Sequence, residues 1–155
     1  MEFEQLCDRL EIRELAERYT MGITAHDWDL VGSCYHDDAR WHVPQMGYDL
    51  NGRNAIVAGV RELVEPNELH MQMLHSLVFD RLDQDRSEIR SILHELAHHP
   101  SGERGVNVFG IYYDEVTRRD GEWKFQNRRF EIHYLDPAPL PGNVMIDYAN
   151  MPTLT

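Results

Sequence analysis

Two stretches of this sequence carry residue types that can do metal or acid–base chemistry. The first, His94-Glu95-Leu96-Ala97-His98, spells H-E-x-x-H. On a helix, histidines four residues apart share a face and can bind zinc, with the glutamate as general base. Ile89, Ile92, Leu93 and Leu96 fall at helical spacing around the motif. No third histidine follows at the spacing of a three-histidine zinc site, and Glu115, a possible third ligand, belongs to a different segment. If the stretch is a strand, His94 and His98 lie about 13 Å apart, too far to share an ion. The second stretch is HMQMLHSLVF, residues 70–79, in which Met71, Met73, His75, Leu77 and Phe79 alternate as on one face of a strand. An unperturbed imidazole titrates at about pH 6.5, so His75 in a dry pocket could take a proton β to a leaving group or α to a carbonyl. The simpler alternative is a core histidine hydrogen-bonded to a neighbour.

The elements that must position these residues are legible in outline. Residues 2–24 read as a long helix with Ile12, Leu15, Ala16, Tyr19 and Ile23 on one face, so Tyr19 points inward. Asp27 suits the N-cap of a short second helix, WDLVGSCY. ARWHV (39–43) resembles a short strand, and PQMGYDLNGR after it reads as loop. Ile56, Gly59, Val60, Leu63 and Val64 form the stripe of a third helix, closed by Pro66. A strand from His70 ends at the turn Asp83-Gln84-Asp85, and residues 87–99 can be read as helix or strand. Pro100-Ser101-Gly102 is a turn into a long hairpin, Val106–Leu135, that folds back at Asp120-Gly121. Both faces of that hairpin carry bulky groups, which predicts a helix layer over one and another subunit over the other. Helices grouped before about four long antiparallel strands predict an α+β domain, a cone-shaped curved sheet covered by three N-terminal helices. The domain spans 1–135. The tail 136–155 holds four of the seven prolines and reads as a flap across the pocket.

With 155 residues, there is one core and no room for two domains. A net charge of −12 repels phosphate backbones and anionic membranes, which disfavours nucleic-acid or membrane partners. There is no apolar run long enough to span a bilayer, and the N-terminus has no signal-peptide core. Cys7 and Cys34 make no disulfide framework, so a cytoplasmic protein with reduced thiols is expected.

The pieces LEIRELAERY (10–19), DWD (27–29), DDARW (37–41), GRNAI (52–56), GIYYDEVTRRDGEWKF (110–125) and RRFEIHY (128–134), in this order, resemble the SnoaL-like branch of the nuclear-transport-factor-2-like superfamily. That branch includes scytalone dehydratase, hexachlorocyclohexane dehydrochlorinase, bile-acid dehydratase and polyketide cyclases. The resemblance implies a small apolar molecule in the cone, no metal or cofactor, a strand over 87–98, and a dimer or trimer. It also implies a histidine general base early in the first long strand, with His75 the best fit and His70 the runner-up. Tyr19 matches the family tyrosine and Arg128 the basic residue of the last strand, both suited to developing negative charge. The aspartate that orients the family histidine is replaced here by Thr24, which can hydrogen-bond an imidazole but supplies no charge. Trp28, Trp41, Tyr48, His70 and Tyr112 are expected to line the pocket. The reading is a cofactor-independent lyase or isomerase acting on a small apolar oxygenated molecule. The alternatives are a non-catalytic ligand-binding domain of the same fold and a zinc hydrolase on His94, Glu95 and His98.

Overall fold

The computed structural model describes residues 2–151. Helices α1 (Phe3–Ala25) and α2 (Trp28–Ser33) precede β1 (Tyr35–Val43), β2 (Tyr48–Asn51) and α3 (Arg53–Val64). Four long strands follow: β3 (Leu69–Leu82), β4 (Arg86–His98), β5 (Gly105–Arg119) and β6 (Glu122–Asp136). All six strands form one curved open sheet in the order β2-β1-β6-β5-β4-β3. Every pairing is antiparallel except β1 with β6. The class is the expected α+β, with three helices near the N-terminus.

The five apolar residues placed on one face of the first helix are all buried. Burying each large aliphatic side chain contributes about 1.5–3 kcal/mol, so this face holds α1 on the sheet. The helix ends at His26 in a left-handed conformation, φ 56°. Asp27 then caps α2 by accepting a hydrogen bond from the Leu30 amide at 2.9 Å. At the hairpin tip Asp120 and Gly121 both have positive φ, 53° and 82°, as a two-residue turn matched to strand twist requires.

Three differences from the sequence reading have physical causes. β1 starts at Tyr35 rather than Ala39, and the stretch read as loop contains the edge strand β2, because pairing along β1 outweighs weak strand propensity. Residues 86–98 are a strand held between β3 and β5, with Ser87, Ile89, Ser91, Leu93 and Ala97 on the buried face. The helical spacing of Ile92 and Leu96 is therefore incidental. Finally, the β3 ladder shifts between Leu74 and Leu77. Because side chains alternate with a period of two, this bulge breaks the expected single face. His75 faces solvent with Met71, whereas Leu77 is buried and Phe79 packs on the core.

β3 is an edge strand, and side chains cover its free backbone groups. The Gln72 amide donates to Thr24 Oγ1 at 3.0 Å, the His70 amide donates to the Tyr148 hydroxyl at 3.0 Å, and Arg13 donates to the Leu77 carbonyl at 2.9 Å. At the other end of the domain, buried Asp8 accepts from Trp123 Nε1 at 3.0 Å and from Arg118 at 2.8 Å, tying α1 to the β5–β6 hairpin. Asp8→Ala would leave the buried indole N–H without a partner. A loss of about 1–3 kcal/mol is expected in urea unfolding, with the fold retained.

Candidate functional site

β5 and β6 pair Asp114 opposite Arg128, both pointing inward. The guanidinium donates to both carboxylate oxygens, at 2.9 and 3.0 Å. It lies over three rings, Phe125 at 3.8 Å, Tyr112 at 3.9 Å and Tyr19 at 4.2 Å. Burial alone would lower the Arg128 pKa. The Asp114 charge and its hydrogen bonds outweigh it and hold the group firmly protonated. Tyr19, Tyr35 and Tyr112 have pKa values raised far above the ordinary phenol range, chiefly by burial. Tyr112 accepts from Trp41 Nε1 at 3.1 Å, which locks β1 to β5. Side chains pack this end of the cone, where the Tyr19 and Tyr35 hydroxyls and Arg128 Nη1 have no partner among the described residues.

The other end holds a second polar pair. His70, 4% exposed, lies at the start of β3. Its Nε2 is hydrogen-bonded to Glu95 Oε1, brought to the same face by β4. Asn67, just beyond the end of α3, places Nδ2 3.3 Å from His70 Nδ1. Tyr148 comes from the tail, donates to the His70 carbonyl at 3.2 Å and stacks on His26 with centroids 3.7 Å apart. His26 also stacks on Trp28, and burial followed by the neighbouring His70 lowers its pKa. Two buried polar atoms beside the pair, His26 Nε2 and Gln72 Oε1, have no partner among the described residues. The Glu95 side chain keeps 18% of its surface accessible. Such a pair can hold and move a proton within an interior that is otherwise mostly apolar. A surface groove of about 530 Å³ between α2 and α3 does not include it. The charged groups lining that groove are exposed, and its arginines pair with Asp37 and Glu65.

Residues 4–129 match the SnoaL-like domain family. The chain belongs to that family. Its fold matches a hexachlorocyclohexane dehydrochlorinase from Novosphingobium barchaimii, with a TM-score of 0.81 and 22% identity over 95% of this chain and 99% of that one. A proposed scytalone dehydratase from Novosphingobium aromaticivorans superposes with a TM-score of 0.77 and 16% identity, over 90% of this chain and 97% of the other. At these identities the likeness is one of fold. No curated protein sequence matches this one.

Within the SnoaL-like frame the expected site residues part company. His75 lies on the outer face, its ring 5.9 Å from that of His94, which stacks on Phe109. His70, the second choice, is the histidine that points inward. Thr24 binds the Gln72 backbone and contacts no imidazole within hydrogen-bond distance among the described residues. Arg128 is neutralised by Asp114 and packed among rings, and Tyr19 is part of that packing. Trp41 and Tyr112 belong to the same core, while Trp28 and Tyr48 are partly buried at its rim. The H-E-x-x-H side chains diverge, because Glu95 bonds His70 inside while His94 accompanies Phe109 outside. No group of three or more metal-ligating side chains converges among the described residues. Glu95, Asn67, His26 and Tyr148 were not singled out for this site. Only Glu95 left a signal, a carboxylate in phase with Ser91, Leu93 and Ala97 on the strand's inner face.

Two measurements test the packed end. Arg128→Met leaves the Asp114 charge buried and alone, and should cost about 3–5 kcal/mol in denaturant unfolding. A phenol whose folded pKa is raised stabilises the fold fully below its unfolded pKa of about 10, and that contribution is lost as pH rises above it. Three of the seven tyrosines should therefore form tyrosinate only when the protein unfolds in alkali, seen as a delayed rise in tyrosinate absorbance.

Proposed function

We propose that this SnoaL-like protein is a lyase or isomerase that moves a proton on a small, largely apolar, oxygenated molecule bound beside His70 and Glu95. The observation that carries this reading is the buried His70–Glu95 pair, in which the Glu95 side chain stays partly accessible. Burying ionisable groups in an apolar interior is costly, and general acid–base chemistry is a reason to do so. In an elimination the pair takes a proton from carbon, the C–H electrons form the new double bond, and the leaving group departs with its own pair. The names of two structural relatives, a dehydrochlorinase and a dehydratase, support this class of reaction. His26 and Gln72 offer free polar atoms for the substrate's oxygens, and Trp28 and Tyr48 offer apolar contact at the rim. Tyr148 would close the site from the tail.

A binding domain without turnover is the second reading. It is favoured by Thr24, whose hydroxyl serves the edge-strand backbone and leaves the family's orienting carboxylate without a counterpart on α1.

The protein would act as a homo-oligomer through the outer sheet face. There Met73, His94, Phe109 and Tyr134 lie side by side across four strands, and Phe109 and Tyr134 are exposed. Phe109→Glu should shift sedimentation to the monomer without unfolding the chain.

With a substrate that the wild type turns over, His70→Ala should reduce kcat/KM by about 10²–10⁴-fold. His75→Ala should leave it unchanged. The opposite pattern would return the chemistry to the outer histidine and overturn this assignment.

A further inference from the structure

The hydrogen bonds around His70 also say which atom of the pair accepts the proton, if the proposed acid–base reading holds. Asn67 Nδ2 lies 3.1 Å from the carbonyl oxygens of both Leu63 and Val64, in the last turn of α3. Carbonyls only accept, so the amide cannot be turned to put its oxygen there. The same NH₂ group faces His70 Nδ1 at 3.3 Å, so with one hydrogen shared between the two carbonyls the other is left for the ring nitrogen. An Nδ1–H would point donor against donor. Nδ1 therefore presents its lone pair to Asn67, the ring hydrogen sits on Nε2, and Nε2–H donates to Glu95 Oε1. Both ring nitrogens are then occupied, and no imidazole lone pair is left for a substrate.

We infer that Asn67 locks His70 in the neutral Nε2–H tautomer, which makes Glu95 the proton acceptor and His70 its positioning residue. Glu95 Oε2 makes no hydrogen bond among the described residues, and 18% of the side chain's surface stays accessible. In the step that follows, a substrate C–H proton passes to Oε2 and the C–H electron pair becomes the new π bond. The leaving group takes its own bonding pair, and Glu95 then returns the proton to that group or to water. His70 stays neutral throughout. The carboxylate that α1 lacks at position 24 is supplied by β4 instead.

Long-range proton–nitrogen correlation NMR on the intact, uniformly nitrogen-15-labelled chain reads the tautomer without any substrate. His70→Gln identifies the signals by removing one set. The expected wild-type pattern at neutral pH is a protonated Nε2 and an unprotonated, pyridine-like Nδ1. Asn67→Asp, which replaces the donor with an acceptor, should move the hydrogen to Nδ1 or charge the ring. A wild-type ring protonated on Nδ1, or on both nitrogens, would overturn the inference even if the Asn67 variant failed to fold. With a turned-over substrate, Glu95→Gln should keep the wild-type tautomer and lose about 10²-fold or more in kcat. An Nδ1–H ring together with loss of activity in His70→Ala would leave the site in place and make the imidazole the base. An Nε2–H ring with full activity in both His70→Ala and Glu95→Gln would instead remove the catalytic reading of the site.

Discussion

The Arg128–Asp114 ion pair is the constraint on which the interior depends. It sits on the two longest strands, and α1 and β1 converge on it. α1 brings Tyr19, β6 brings Phe125, and β1 reaches it through Trp41 and Tyr112. A buried pair of this kind adds little net stability over an apolar replacement, because desolvation offsets most of the attraction. Its geometry, however, admits little slack. Two parallel hydrogen bonds and three ring faces fix the register of β5 against β6 and the depth of α1 over both. Tyr19, which the resemblance assigned to chemistry, is held as a neutral phenol by this packing.

The second polar cluster of the interior lies at the His70 end. There four chain segments distant in sequence converge on the start of β3. α1 and the tail supply Thr24 and Tyr148, which satisfy the backbone of the edge strand at alternate residues. Asn67 follows the end of α3, and β4 brings Glu95. Covering an edge strand and positioning a histidine are thus done by the same contacts. Thr24 serves here as a backbone partner of the edge strand. The sheet's two faces also divide the histidines. His94 and His75 lie on the apolar outer face with Phe109, while His70 lies inside.

Much of the architecture could be read from local pattern, because helix period, capping and tight turns depend on neighbours in sequence. The α1 face from Ile12 to Ile23, the Asp27 cap and the Asp120-Gly121 turn are of this kind. So was the family resemblance, whose pieces span most of the chain. β2 escaped because a short edge strand owes its existence to a partner rather than to its own residues. The ambiguity of 87–99 was resolved by pairing on both sides.

The candidate site was less legible. The chain by itself supplied the right segment, HMQMLHS, and both of its histidines. It did not decide between them, since a strand's period of two makes the inward residue depend on a single bulge, and the bulge between Leu74 and Leu77 arises from the ladder with β4. Nor did it couple His70 with Glu95, 25 residues away, or make Arg128 the partner of Asp114. Those pairings follow from cross-strand register. Composition, helices and turns are written in local sequence. Which polar groups meet inside the sheet is decided only when the strands align.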